Sequence, residues 1–91
     1  MAELIESGTT TANSADITIE AGASASLFLK SAASQTLPQD AKAVIQVKSA
    51  DATYYDIGTL TATDPMKVLQ AAGTFRVVRM AASSAYGVDQ T

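Results

Sequence analysis

Apolar side chains recur at every second position through most of this chain, and that period is the strongest limit on what it can fold into. In "ADITIE", Ile17 and Ile19 fall on one side and Asp16, Thr18 and Glu20 on the other. A strand with one face on a core gives this alternation, and a helix does not. "ASLFLK" repeats it, with Ala25, Leu27 and Leu29 inward and Ser26, Phe28 and Lys30 outward. "AVIQVK" does so again, with Ala43, Ile45 and Val47 set against Val44, Gln46 and Lys48. Turn chemistry at Ser49 to Ala52 leads into "TYYDIGTL", which predicts a hairpin. "MKVLQ", "TFRVVRM" and "AYGVDQ" complete the series, the last with Tyr86 and Val88 on one face. About seven short strands at roughly 8–12 residue spacing predict an all-β chain, a single antiparallel β-sandwich or small barrel.

Three segments depart from the period. Residues 1–14, "MAELIESGTTTANS", place apolar Leu4 and Ile5 before a run of small polar residues. They read as an extended N-terminal arm with an apolar tip or as an edge segment, leaving residues 15–91 as the sandwich domain. Ser31 to Lys42 is polar, carries "LPQD", and reads as a loop with room for one helical turn after Pro38. "DPMKVLQAAG" has a second reading, two turns of helix capped by Asp64 with Pro65 at the first position and Gly73 as the stop.

Composition bounds the chemistry. Ninety-one residues hold one small core. Alanine supplies 18 positions, and alanine, serine and threonine together supply 38, so the core is thin and the surfaces are smooth. With no cysteine and no histidine, disulfides, thiolate metal sites and the commonest general base are all excluded. Serine and threonine are plentiful, but no G-x-S-x-G or S-x-x-K arrangement supplies a base for them. Asp51, Asp56 and Asp64 match no calcium-loop spacing. No enzyme, cofactor, metal site or small-molecule substrate is expected. A net charge of −3 with only six basic residues speaks against nucleic-acid binding. No apolar run approaches the ~20 residues of a membrane helix, and "MAELIES" lacks the form of a secretory signal, so cytoplasmic synthesis is expected.

The stretch "GTFRVVRM" carries the most information about partners. Phe75 and Val77 alternate with Thr74 and Arg76, and then Val78 and Met80 fall on the face of Arg76. A bulge at Val77–Val78 would return Met80 to the interior and turn both Arg76 and Arg79 outward. Without a bulge, Val78 and Met80 join Val44 in an outer apolar patch, a docking strand or the seat of Leu4 and Ile5. Candidate partner-binding residues are therefore Leu4, Ile5, Val44, Arg76, Val78, Arg79 and Met80.

"AAGTFRVVRM" resembles the corner leading into the sixth strand of immunoglobulin-like sandwiches, with Phe75 where those domains often carry tyrosine and so without the corner hydroxyl. More widely, "TTTANSADITIEAG", "AVIQVK…YYDIGTL" and "GTFRVVRMAASSAYGVDQ" resemble small virion proteins of tailed bacteriophages. That resemblance implies a protein on the capsid surface that decorates or cements the head by binding the major capsid protein. Self-association, up to a trimer, stays open as a second partnership. The competing reading is a binding module on the virion or a fibre, recognising a host glycan or receptor through loops Ser31 to Lys42 and Ser49 to Tyr54.

Overall fold

Each segment with a two-residue period is a strand. The computed structural model describes residues 2–31 and 37–91. Its strands in chain order are β1 (Ala2–Gly8), β2 (Ala12–Asn13), β3 (Ile17–Ile19), β4 (Ala25–Ser31), β5 (Lys42–Lys48), β6 (Tyr54–Thr61), β7 (Met66–Leu69), β8 (Gly73–Arg79) and β9 (Tyr86–Gln90). They form two antiparallel sheets, β1-β9-β4-β7 and β2-β8-β5-β6, with β3 also pairing β8. The expected sandwich is the fold, with nine strands in place of about seven. The two additional strands, β1 and β2, lie in the first fourteen residues, so this segment is built into sheet edges.

The side chains that the alternation turns inward make the core. Ile17, Ile19, Ala25, Leu27, Leu29, Ala43, Ile45, Leu60, Phe75, Val77, Tyr86 and Val88 are all buried. Alanines at 25, 41 and 43 keep the interior thin, as the composition requires. β5 pairs β6 through the hairpin and β8 on its other side. At the tip Ala52 has a φ of 65°, a left-handed conformation in which its Cβ is strained.

Pairing of β5 with β8, the third and sixth of the seven strands expected, is that of an immunoglobulin-like sandwich, but the outer strands are arranged otherwise. In that fold the last two strands share a sheet. Here β9 leaves β8 and pairs β4 in the opposite sheet, and β2 and β3 take the place beside β8. Ser14 spans the gap between β2 and β3: its N–H donates to the Val77 carbonyl at 2.8 Å and its hydroxyl accepts the Val77 N–H at 2.8 Å. The edge of β8 is thereby satisfied through an interruption of the ladder.

Two alternatives left open by the sequence resolve. Residues 66–69 are strand rather than helix, paired from Met66↔Phe28 to Leu69↔Ala25. β8 carries no bulge against β5, since the register runs unbroken from Val47↔Phe75 to Ala43↔Arg79. The irregularity lies instead between β5 and β6, where Ile57 is the extra residue between Gly58↔Ile45 and Asp56↔Gln46. A hydrogen-bonded turn, Ala41 N–H to the Pro38 carbonyl at 3.0 Å, stands where one helical turn was expected. Residues 32–36 of the expected loop lie outside the described residues.

Candidate functional site

Unbroken β8 puts Val78 on the outer face directly beside Val44, as the patch reading required. Both are half-buried, and Met80 beyond the strand end is 38% exposed. Arg76 shares that face but is engaged. Its Nε donates to Gln46 Oε1 at 2.7 Å, and its guanidinium carbon lies 3.7 Å from the centre of the Tyr54 ring. Gln46 in turn donates to Asp56 at 2.8 Å. Tyr54 donates its hydroxyl to Asp16 at 2.6 Å, and Lys48 lies 3.4 Å from the same carboxylate. The Tyr54 bond, then Lys48, hold the Asp16 carboxyl below the usual carboxylate range, and the same bond raises the Tyr54 phenol. Part of the outer face of this sheet is thus a polar network, with Val44, Val78 and Met80 beside it.

Arg79 is the largest departure from expectation. Continuous register places it on the core side at the end of β8, where it is 4% exposed and turned away from the outer face on which a docking strand was expected. Its Nε donates to the Thr10 carbonyl at 2.8 Å, one terminal nitrogen donates to the Glu6 carbonyl, and the other lies 3.5 Å from the Thr10 hydroxyl. No carboxylate lies within ion-pair distance of it among the described residues. Leu4 and Ile5 are likewise committed at home. Ile5 is buried opposite Val88, and Leu4 packs against the core. Of the seven candidates, Val44, Arg76 and Val78 come together on one face, with Met80 at its end. Leu4, Ile5 and Arg79 belong to the attachment of β1.

Exposed apolar surface lies elsewhere, on the flank formed by β6 and β7. Tyr55, Ile57, Met66 and Val68 are 55%, 51%, 56% and 49% exposed. The two strands leave the Thr61–Asp64 bridge together and diverge into opposite sheets, β7 ending after four residues while β6 runs for eight. Part of the inner side of β6 therefore has no covering strand. The resulting groove has a volume of about 480 Å³, with Ile45 in its floor and Ile57, Thr59, Val68 and Leu69 among its walls. Ile57 and Val68 meet at this groove, and Tyr55 and Met66 add exposed apolar surface on the same two strands.

Both strands of the flank are guarded against adding another strand. β6 is bent by the Ile57 bulge. β7 follows Pro65, and it turns Lys67 toward the face of buried Leu27, its ammonium held by Asp64. A proline, a bulge and an inward charge are the devices that keep sheet edges from pairing. What the flank offers a partner is side-chain area.

Tyr86 is a structural anchor that alternation placed inward without showing its role. Wholly buried, it carries a hydroxyl that reaches the Lys42 carbonyl at 2.6 Å, lies against the Met80 carbonyl, and accepts the Lys42 N–H at 3.2 Å. One phenol from β9 thus ties the opposite sheet at β5 and at the end of β8. Burial raises its pKa. Among the described residues no group of three carboxylates could hold a metal ion.

No protein-family model matches the chain, and no curated protein matches it. Its fold is similar to that of the SPBc2 prophage-derived protein YomS, known from a crystal structure. The TM-score is 0.69 at 4% sequence identity, over 97% of this chain and 86% of that one.

Proposed function

We propose that the protein is a structural component of a bacteriophage particle, one that decorates or cements the head by docking on the major capsid protein. The observation that carries this reading is the β6/β7 flank, where Tyr55, Ile57, Met66 and Val68 all stand about half exposed. The fold likeness to a prophage-derived protein supports the same setting.

The energetics fit adhesion to a repeating surface. At about 25 cal/mol per Å², a patch of roughly 300–600 Å² returns on the order of 8–15 kcal/mol gross. Association itself costs about 4–15 kcal/mol, so a single site binds weakly. Occupancy then depends on many equivalent sites on one lattice, or on copies linked to one another.

Heads of the encoding phage, assembled without this protein, are the test. Purified protein should bind them to saturation and raise their resistance to heat, and the Ile57→Lys, Val68→Lys double variant should not. Binding to isolated host polysaccharide, with none to heads, would establish the receptor-module reading in its place.

A further inference from the structure

The attachment of β1 has the form of a removable part, and this holds independently of the docking flank. Its ladder on β9 is broken twice, between Glu3 and Ile5 and again between Ile5 and Gly8. Ile5 is the one buried side chain described in the strand, and Glu3 is joined to Lys30 at the surface. These two breaks divide the strand into short paired pieces, and an edge element of that kind opens locally at less cost than the whole domain.

Arg79 marks where it opens. One terminal nitrogen of the guanidinium holds the Glu6 carbonyl on the strand, and its Nε holds the Thr10 carbonyl on the body. Gly8 lies between them, and a Cβ there would stand 2.8 and 2.9 Å from the two terminal nitrogens. On the body side, Thr9 is tied again by the Ala82 N–H at 3.1 Å. The backbone between these ties is Ser7–Gly8, with Gly8 opposite Tyr86 at the end of the ladder and Arg79 as a staple across it. Because no carboxylate pairs with this buried cation among the described residues, opening lets it hydrate, which offsets the bonds lost.

The seat that β1 leaves is specific. Gly87 lets the strand approach, since a Cβ there would overlap the Ile5 carbonyl, and the Lys30 stem crosses the same glycine to reach Glu3. Lys30 also lies 3.0 Å from Asp89, off-line for a hydrogen bond. These features belong to residues 30, 79 and 87–89, identical in every copy, and the sequence that fits them is β1 itself.

We propose that β1 is an exchangeable strap: hinged at Ser7–Gly8, residues 2–6 leave their own β9 and take the same seat on β9 of a second copy. Arg79 of the receiving copy then donates to the incoming Glu6 carbonyl. Exchange of an identical element costs no contact beyond the hinge. Copies linked in this way would dock together, which multiplies a weak single-site affinity.

The absence of cysteine makes the test clean. Ala2 and Gln90 are Cα partners at the end of the ladder. An Ala2→Cys protein is mixed with a Gln90→Cys protein at high concentration in a glutathione redox buffer, and the disulfides are identified by mass spectrometry. No single chain can close a bond between positions 2 and 90, so a yield of that bond above random collision reports one copy's strap lying on the other's β9. The expected heterodisulfide exceeds the random-pairing ratio to the two homodisulfides on the order of tenfold, because a seated strap holds the thiols at high effective concentration. Adding Arg79→Met to both proteins should speed its formation, and adding Met80→Ser should not. A heterodisulfide at the random ratio overturns the proposal, and head binding through the flank is measured separately and is unaffected by that outcome.

Discussion

Removing one oxygen from Tyr86 separates two contributions to the fold that usually travel together. Tyr86→Phe keeps the ring, which is fully buried, and deletes the hydroxyl that links β9 to the Lys42 and Met80 backbones. The Lys42 carbonyl keeps a partner, because it also accepts the Met80 N–H at 2.9 Å. The Lys42 N–H and the Met80 carbonyl lose theirs. Two partly buried groups left without this bond should cost about 1–3 kcal/mol near neutral pH, a large fraction of the roughly 5–14 kcal/mol available to a domain of this length. The pH dependence supplies a second, independent reading. Burial raises the Tyr86 pKa in the folded state. The unfolded chain therefore releases that proton first as pH rises past about 10. Folding stability is complete below that pH and is lost as pH climbs toward the folded value, with a limiting slope of about 1.4 kcal/mol per pH unit for this group. Tyr54 and Lys30 are also raised, by the Asp16 and Glu3 bonds respectively, and they add loss of the same sign in the alkaline range. Urea unfolding followed by far-ultraviolet circular dichroism from pH 7 to 11 measures both effects. The Phe variant should start lower and fall less steeply above pH 10. A variant as stable as the parent at pH 7, or equally steep in alkali, would refute the assignment of Tyr86 as a buried hydrogen-bonded tie.

Four further outcomes follow from other parts of the molecule. Arg79→Ala should lower unfolding stability by about 2–4 kcal/mol, because it empties packed space and leaves the Glu6 and Thr10 carbonyls without donors; Arg79→Met, which keeps the stem, should lose about half as much in the same urea titration. Gly87→Ala should destabilise and increase hydrogen exchange of the β1 amides, since its Cβ would displace the Ile5 carbonyl. Ala52→Gly should stabilise by about 0.5–1 kcal/mol, read as a rise in thermal midpoint, by relieving the left-handed strain at the hairpin tip. Ile57→Lys should shift stability by no more than about 0.5 kcal/mol, because half of that side chain is already in water, and the loss of head binding can then be read without a folding artefact.

The strands were legible because their evidence is local. Leu27 and Phe28 differ in environment through the two-residue period alone, and the structure buries the first and half exposes the second. The segment after Pro65 was legible only as an ambiguity. Met66 to Leu69 has both helical capping and strand alternation in its favour, and pairing with β4, forty residues away in the chain, decides for strand. Residues 1–14 show the same limit from another direction. Their small polar composition gives no period, yet Gly87 and Arg79 hold them against the sandwich. Neither residue advertises a seat for a strand some eighty positions earlier.

Arg79 and Ile57 show why the candidate site was harder to read than the fold. Alternation assigns Arg79 to the inner face as soon as β8 is taken to be unbroken. The cost of burying an unpaired cation argues for a bulge that would turn it outward. That cost is lowered by carbonyls of the N-terminal segment, and their position depends on how β1 crosses from one sheet to the other at residues 9–11. Ile57 poses the converse problem. Nothing in "YYDIG" separates an apolar residue that will be covered from one that will not, because cover depends on the opposing strand. β7 ends at Leu69 and so leaves part of the inner side of β6 bare. β7 has no further ladder to follow, because Leu69 already pairs Ala25, the first residue of β4, so the start of β4 sets how much of β6 stays bare. Filling the groove within the existing register, by Leu69→Trp, should therefore weaken the proposed attachment to heads in a binding titration, and a variant that folds like the parent yet attaches undiminished would show that the flank is not the surface used.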